Sequence, residues 1–118
     1  MIKPDDPKQL AIDLLARSIC AVQVAAVIAD NHGIFSWGWN SVGSGLGEHA
    51  EAAAIRRANK NRLEWATIYV ASQRKRKTWD KPINSKPCSS CERLLKSHGI
   101  RRIYFRRADG IWDTKVLL

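Results

Sequence analysis

The hydrophobic residues in the first quarter of the chain form two different patterns. Asp6, Pro7 and Gln9 are typical of a helix start, and the apolar residues that follow recur at helical spacing. This pattern predicts an amphipathic helix over residues 7–18. Residues 19–29 form an almost unbroken, valine-rich apolar run, which indicates a central strand covered on both faces.

A second strand is predicted over residues 34–40, after a turn sequence at 30–33. Aromatic residues alternate with small or polar ones along it. We therefore expect Phe35, Trp37 and Trp39 to point into the core.

The remaining elements alternate between helix and strand. The pattern predicts a helix at 48–61, a strand at 66–72, a polar loop at 73–86, a helix at 89–98 and a strand at 101–107. Asp109-Gly110 then separates two β-prone runs, which favours a hairpin and an antiparallel last strand. Together these elements predict one α/β domain spanning residues 1–118.

The chain is basic, with a formal net charge of +9. Residues 56–107 contain 16 Lys and Arg but only three acidic residues, Glu64, Asp80 and Glu92. Such an excess indicates an anionic partner or substrate, although a solvated basic surface explains the charge equally well.

No apolar run reaches membrane-spanning length, and residues 1–6 lack the apolar segment of a signal peptide. We therefore expect an intracellular, cytoplasmic protein without a membrane partner. Three cysteines are compatible with a reducing compartment.

Two short motifs bring together chemistry that is typical of a metal site. Cys88 and Cys91, in Pro87-Cys88-Ser89-Ser90-Cys91, place two thiols on the first turn of a predicted helix, and His49 would add a third ligand. Three protein ligands leave one coordination position open, as in catalytic zinc sites. Glu51, two residues after His49, could handle the protons of a water there. The H-x-E and P-C-x-x-C pair matches the pattern of zinc nucleobase deaminases.

A structural zinc site and a redox-active cysteine pair are the alternatives. A zinc ribbon needs a second C-x-x-C, but the remaining cysteine, Cys20, stands alone. A redox pair would leave His49 and Glu51 without a role.

The order of elements, together with Gly38-Trp39-Asn40 and the two motifs, resembles the cytidine/deoxycytidylate deaminase superfamily over essentially the whole chain. The segments 84–91, 99–104 and 109–110 are most similar to deaminase-like proteins of phages, large viruses and fungi. The resemblance implies a three-layer α/β/α fold with a five-stranded mixed sheet that ends in an antiparallel hairpin. It also implies a homo-oligomer, in the cytoplasm of a cell or of a virus-infected host.

By the same resemblance, Zn²⁺ is the cofactor, with His49, Cys88 and Cys91 as ligands and Glu51 as the catalytic proton shuttle. The resemblance places Asn40, Ala50 and Pro87 against the substrate. Asn40 has an alternative role, capping the glycine-rich loop that follows it.

The resemblance implies hydrolytic conversion of cytosine to uracil in a nucleoside or nucleotide. Deamination of cytosine in single-stranded DNA or RNA is the alternative, and adenine deamination is a weaker one. In the nucleic-acid case, the contacts would come from Arg74, Lys75, Arg76 and Trp79, which could equally form a solvated insertion. A catalytically silent nucleic-acid-binding module is disfavoured, because a structural zinc does not need Glu51.

Overall fold

The computed structural model describes residues 6–42, 48–75 and 80–117. The helices are α1 (Pro7–Leu14), α2 (Ala50–Arg57) and α3 (Ser89–Ser97). The strands are β1 (Val22–Asp30), β2 (Gly33–Trp39), β3 (Thr67–Arg74), β4 (Lys81–Pro82), β5 (Arg102–Arg106) and β6 (Trp112–Val116).

All six strands belong to one mixed sheet with the order β2-β1-β3-β5-β6, and β4 pairs with β3. Only the β3–β5 pairing is parallel, whereas β1–β2, β1–β3, β3–β4 and β5–β6 are antiparallel. Because β3 and β5 run the same way, their carboxyl ends meet at one edge of the sheet.

Helices cover both faces of the sheet, as the predicted three-layer fold requires. Under α1, a cluster of buried residues includes Ala11, Leu15 and Val27. On the opposite face, a larger cluster joins α2 and α3 to the sheet, with Ile28 and Leu95 fully buried. The two clusters together form the core.

The first helix begins where the sequence predicts, because Asp6 Oδ1 accepts hydrogen bonds from the backbone N–H groups of Lys8 and Gln9. It ends earlier than expected and continues as a 3₁₀ turn, Leu15–Arg17. Strand β1 also starts later, since Ile19 is 84% exposed. In the described ranges, no helix is both long enough and apolar enough to cross a membrane.

The prediction that the β2 aromatics fill the core was wrong for Trp37, which is 43% exposed. Ser36 and Gly38 face α2 instead, and Ser36 Oγ donates a hydrogen bond to Ala54 O at 2.6 Å.

A β-bulge where β1 pairs with β2, between Ile28 and Ala29, leaves Phe35 without a partner in the register, and Phe35 packs against the cluster under α2 and α3. Trp39, on the same face of β2 as Trp37, packs against the cluster under α1, but β2 is an edge strand and Trp37 stays exposed.

The expected five-stranded sheet has a sixth strand. Residues 73–86 were predicted as a polar loop, but β3 continues to Arg74 and β4 pairs with it. The pairing aligns Gln73 with Pro82 and Arg74 with Lys81. A two-residue strand has too little sequence pattern to be predicted.

The predicted hairpin at Asp109-Gly110 is confirmed. Arg107 N donates to Ile111 O at 2.8 Å, and β6 returns antiparallel to β5. Gly110 has φ +86°, a left-handed conformation that glycine adopts without strain.

The close contact between β2 and α2 predicts that Gly38→Ala is destabilising. A Cβ at Gly38 would lie 2.6 Å from Ala54 N. Because that atom belongs to the backbone of α2, the contact cannot be relieved by rotating a side chain. We expect the free energy of unfolding to fall by about 1–3 kcal/mol, the usual cost of overpacking. Urea denaturation followed by far-UV circular dichroism measures it.

Trp37→Phe is the control on the neighbouring exposed position, with an expected change within about 0.5 kcal/mol. An unchanged denaturation midpoint for Gly38→Ala would contradict the packing described.

Candidate metal centre and active site

The amino ends of α2 and α3 bring the three predicted metal ligands together. His49 is the N-cap residue of α2, Cys88 is the N-cap residue of α3, and Cys91 lies in the first turn of α3. Their ligand atoms all lie within 4.8 Å of one another, and His49 Nδ1 is 3.1 Å from Cys91 Sγ. Residues 42 positions apart in sequence thus form one cluster.

The donor set fits a tetrahedral metal ion. Two sulfur ligands and one nitrogen ligand of such an ion lie about 3.5–4 Å apart, which small side-chain adjustments would achieve here. Sulfur and imidazole nitrogen are donors that zinc binds well. Three ligands leave a fourth position for water or substrate.

The two thiols differ in their surroundings. A hydrogen bond with the Ser90 hydroxyl, at 3.2 Å, lowers the pKa of Cys88, which is exposed. Burial raises the pKa of Cys91, and the nearby Glu51 carboxylate adds to this effect. A bound cation would favour the thiolate at both positions.

Glu51 lies in the first turn of α2 and is only 5% exposed. Burial raises the pKa of its carboxyl group, while a hydrogen bond to its own backbone, the charge of His49 and a Cys91 hydrogen bond partly offset that effect. A raised pKa makes a carboxylate a better proton acceptor, which suits a group that takes up and returns protons.

A cavity of about 260 Å³ is lined by His49, Cys88 and Glu51. The structure brings all three predicted substrate-contact residues, Asn40, Ala50 and Pro87, to its wall. The ends of β1 and β3 and the segment after β4 complete the wall. The cavity therefore adjoins the open side of the ligand cluster.

The side chain of Asn40 has a role that sequence reasoning missed. Its Oδ1 accepts hydrogen bonds from Ser18 Oγ at 2.7 Å and Val24 N at 2.9 Å, and its Nδ2 donates to Val22 O at 2.8 Å. The amide thus fixes the start of β1 to the end of β2. One Nδ2 hydrogen is not used in these contacts, and it can bind a ligand in the cavity.

Two serines on the cavity wall were also missed. Ser72 and Ser85 are 2% and 5% exposed, and their hydroxyl oxygens lie 2.7 Å apart. Ser85 N donates to Arg106 O at 2.9 Å, which holds the segment before Cys88 against β5. Nothing in the local sequence marks either serine.

Of the four residues predicted to contact phosphate or nucleic acid, the structure describes two. Arg74 and Lys75 are exposed at the carboxyl end of β3, beyond the wall of the cavity. Arg76 and Trp79 lie outside the described residues.

Comparison with known proteins identifies the family. The model of the cytidine and deoxycytidylate deaminase zinc-binding region matches residues 5–107. No curated protein matches the chain.

Three solved structures have similar folds. Cytidine deaminase from Burkholderia pseudomallei has a TM-score of 0.73 at 17% identity, over 98% of this chain and 93% of that one. The dCMP deaminase of cyanophage S-TIM5 has a TM-score of 0.66 at 22% identity, over 93% of this chain and 90% of that one. Cytidine deaminase from Mycobacterium leprae has a TM-score of 0.64 at 20% identity, over 97% of this chain and 94% of that one.

These likenesses confirm the fold, and the family model extends over most of the chain, including both motifs. The chain therefore belongs to the cytidine and deoxycytidylate deaminase family.

Proposed function

We propose that this protein is a zinc-dependent hydrolytic deaminase that converts cytosine to uracil in a nucleoside or nucleotide. Family membership supports the deaminase activity. The observation that favours catalysis over a structural metal is the buried Glu51 carboxyl group, next to His49 and Cys91 at the wall of an open cavity. A structural site has no use for such a group.

His49, Cys88 and Cys91 would hold the zinc ion. When bound, zinc acts as a Lewis acid and makes a water molecule nucleophilic near neutral pH. With two thiolates and a neutral imidazole as ligands, the site would have almost no net charge, which lowers the cost of its partial burial.

Glu51 would move the protons of the reaction. Its carboxylate accepts a proton from the attacking water and passes it to the ring nitrogen N3 of cytosine. It then transfers the second proton to the exocyclic amino group, which leaves C4 as ammonia. Water and cytosine are thereby converted to ammonia and uracil with all atoms accounted for.

The cavity wall supports a cytosine substrate. At about 260 Å³, the cavity is of the size of a small-molecule site at the lower end of the usual range. Asn40 Nδ2, Ala50 and Pro87 would contact the nucleoside. Three similar structures, two named as cytidine deaminases and one as a dCMP deaminase, support the same base.

The proton-transfer role predicts that Glu51→Gln loses about 10²–10⁴-fold in kcat while zinc remains bound. The amide keeps the size of the side chain but cannot accept and return protons. Ammonia release from cytidine, deoxycytidine and their monophosphates measures activity, and elemental analysis measures zinc.

Glu48→Gln is the matched control, since Glu48 lies near the start of α2 and pairs with Arg56 at 2.8 Å. It should retain activity. Retained activity in Glu51→Gln, or loss of its zinc, would refute the assigned role.

The ligand role predicts that Cys88→Ser loses bound zinc and unfolds at a lower temperature, because metal binding and folding are coupled at such sites. Cys20→Ser is the control, since Cys20 lies outside the ligand cluster. Zinc stoichiometry and thermal denaturation test both variants. Stoichiometric zinc with an unchanged melting temperature in Cys88→Ser would exclude Cys88 as a ligand.

A further inference from the structure

The carboxamide of Asn40 has a fixed orientation at the cavity wall. Its Oδ1 faces the backbone N–H of Val24 at 2.9 Å, and its Nδ2 faces the backbone carbonyl of Val22 at 2.8 Å. A backbone N–H can only donate a hydrogen bond and a carbonyl oxygen can only accept one. The oxygen and nitrogen of this amide therefore cannot exchange places.

Ser18 supplies a second hydrogen bond to Asn40 Oδ1. The Ser18 hydroxyl lies 2.7 Å from that oxygen, and Cys20 N donates to Ser18 Oγ at 3.2 Å. Because Asn40 Oδ1 carries no hydrogen, the hydroxyl proton of Ser18 must lie between the two oxygens. An amide oxygen has two lone pairs, which Val24 N and Ser18 Oγ occupy. Asn40 can thus offer a ligand one N–H group of Nδ2 and no acceptor.

A chain of buried polar groups holds Ser18 in place. Ser18 and Gln23 are 2% and 3% exposed, and Gln23 Nε2 donates to Ser18 O at 2.8 Å. Gln23 Oε1 accepts a hydrogen bond from Gln73 Nε2 at 2.8 Å, across a residue pair that joins β1 to β3. Buried polar groups are costly when a partner is missing, so a network of this kind favours a single arrangement.

This polar chain connects the two faces of the sheet. Val22 and Val24 line the cavity, and side chains alternate along a strand, so the Gln23 side chain lies on the opposite face. From there the hydrogen bonds pass through Ser18 to Asn40. Ser18 and Gln23 are not among the described residues that line the cavity. Any effect of theirs on a ligand is therefore indirect.

Asn40 is also fixed relative to the candidate metal ligands. Ser41 and Glu48 form an antiparallel bridge, in which both N–O distances are 3.0 Å. In such a bridge the residue before one partner lies opposite the residue after the other, so Asn40 lies opposite His49. Both residues line the same cavity. The orientation of the Asn40 amide is thus part of the geometry that a ligand of this cavity meets.

We propose that Ser18 is a positioning residue for substrate binding, which occupies the second lone pair of Asn40 Oδ1 and leaves the Asn40 amide as a donor-only contact. The group that this contact recognises is an acceptor oxygen of the nucleoside. Gln23 supports Ser18 in the same role. The inference rests on the proposed function, since it concerns the substrate of the same cavity.

Binding to the zinc-loaded Glu51→Gln protein tests the inference without turnover. The ligand is whichever of cytidine, deoxycytidine and their monophosphates binds most tightly, and isothermal titration calorimetry measures its Kd. In this background Ser18→Ala should weaken binding about three- to tenfold, the usual effect of one lost hydrogen bond. With Glu51 intact, Ser18→Ala should raise KM by a similar factor and leave kcat within about twofold, because the contact stabilises bound substrate and transition state alike.

A double-mutant cycle separates positioning from a general loss of structure. Asn40→Ala should weaken binding at least as much as Ser18→Ala. Adding Ser18→Ala to Asn40→Ala should then have no further effect, because Ser18 acts through the Asn40 amide. Losses that multiply in the double variant would overturn the inference.

Ile103→Val is the control for lost stability, since Ile103 is fully buried on β5 and its shortening destabilises the core without touching the polar chain. It should leave nucleoside binding unchanged, and a loss equal to that of Ser18→Ala would overturn the inference. Gln23→Met removes the donor to Ser18 O, keeps the side-chain length and should weaken binding about two- to fivefold. It carries the same test if thermal denaturation shows that Ser18→Ala does not fold.

Unchanged nucleoside binding in the folded Ser18 and Gln23 variants would also overturn the inference, whatever the activity of the unmodified protein. If a nucleoside binds through Ser18 and Asn40 but no cytosine compound is deaminated, the proposed function fails and the positioning role remains. The two failures are therefore distinguishable.

Discussion

The close approach of α2 to β2 is the constraint on which the site depends. Gly38 has no side chain and Ser36 bonds directly to a helix carbonyl, so α2 lies against the strand backbone. That contact fixes where the helix begins, and with it the positions of His49 and Glu51 relative to the amino end of α3. The positions of His49 and Glu51 thus depend on a contact between small residues of β2 and α2.

The sequence predicted those features of the site that depend on local spacing. The three candidate metal ligands and Glu51 lie at helix starts, where the short motifs predicted them, and the structure brings the three ligand atoms within 4.8 Å of one another, with Glu51 on the wall of the adjoining cavity. The single α/β domain and the final hairpin also follow from periodicity and turn residues, whereas the three-layer arrangement was expected from the family resemblance. These features need few long-range contacts to be specified.

Features that depend on strand register could not be predicted. Trp37 is exposed because β2 is an edge strand of the sheet, and β4 exists only through its pairing with β3. Asn40, Ser72 and Ser85 acquire their roles from partners on other elements. A single polar residue in a strand or loop carries no mark of such distant partners.

The candidate site and the β3–β4 hairpin are held in place by different parts of the structure, which affects how the sequence can vary. The reactive groups are held by α2 and α3, whereas the hairpin of β3 and β4 is held by backbone hydrogen bonds that do not depend on which side chains it presents. Mutations at positions 74 and 81 can therefore accumulate without disturbing the reactive centre. The outer hairpin and the two helix starts can therefore change in sequence independently of each other.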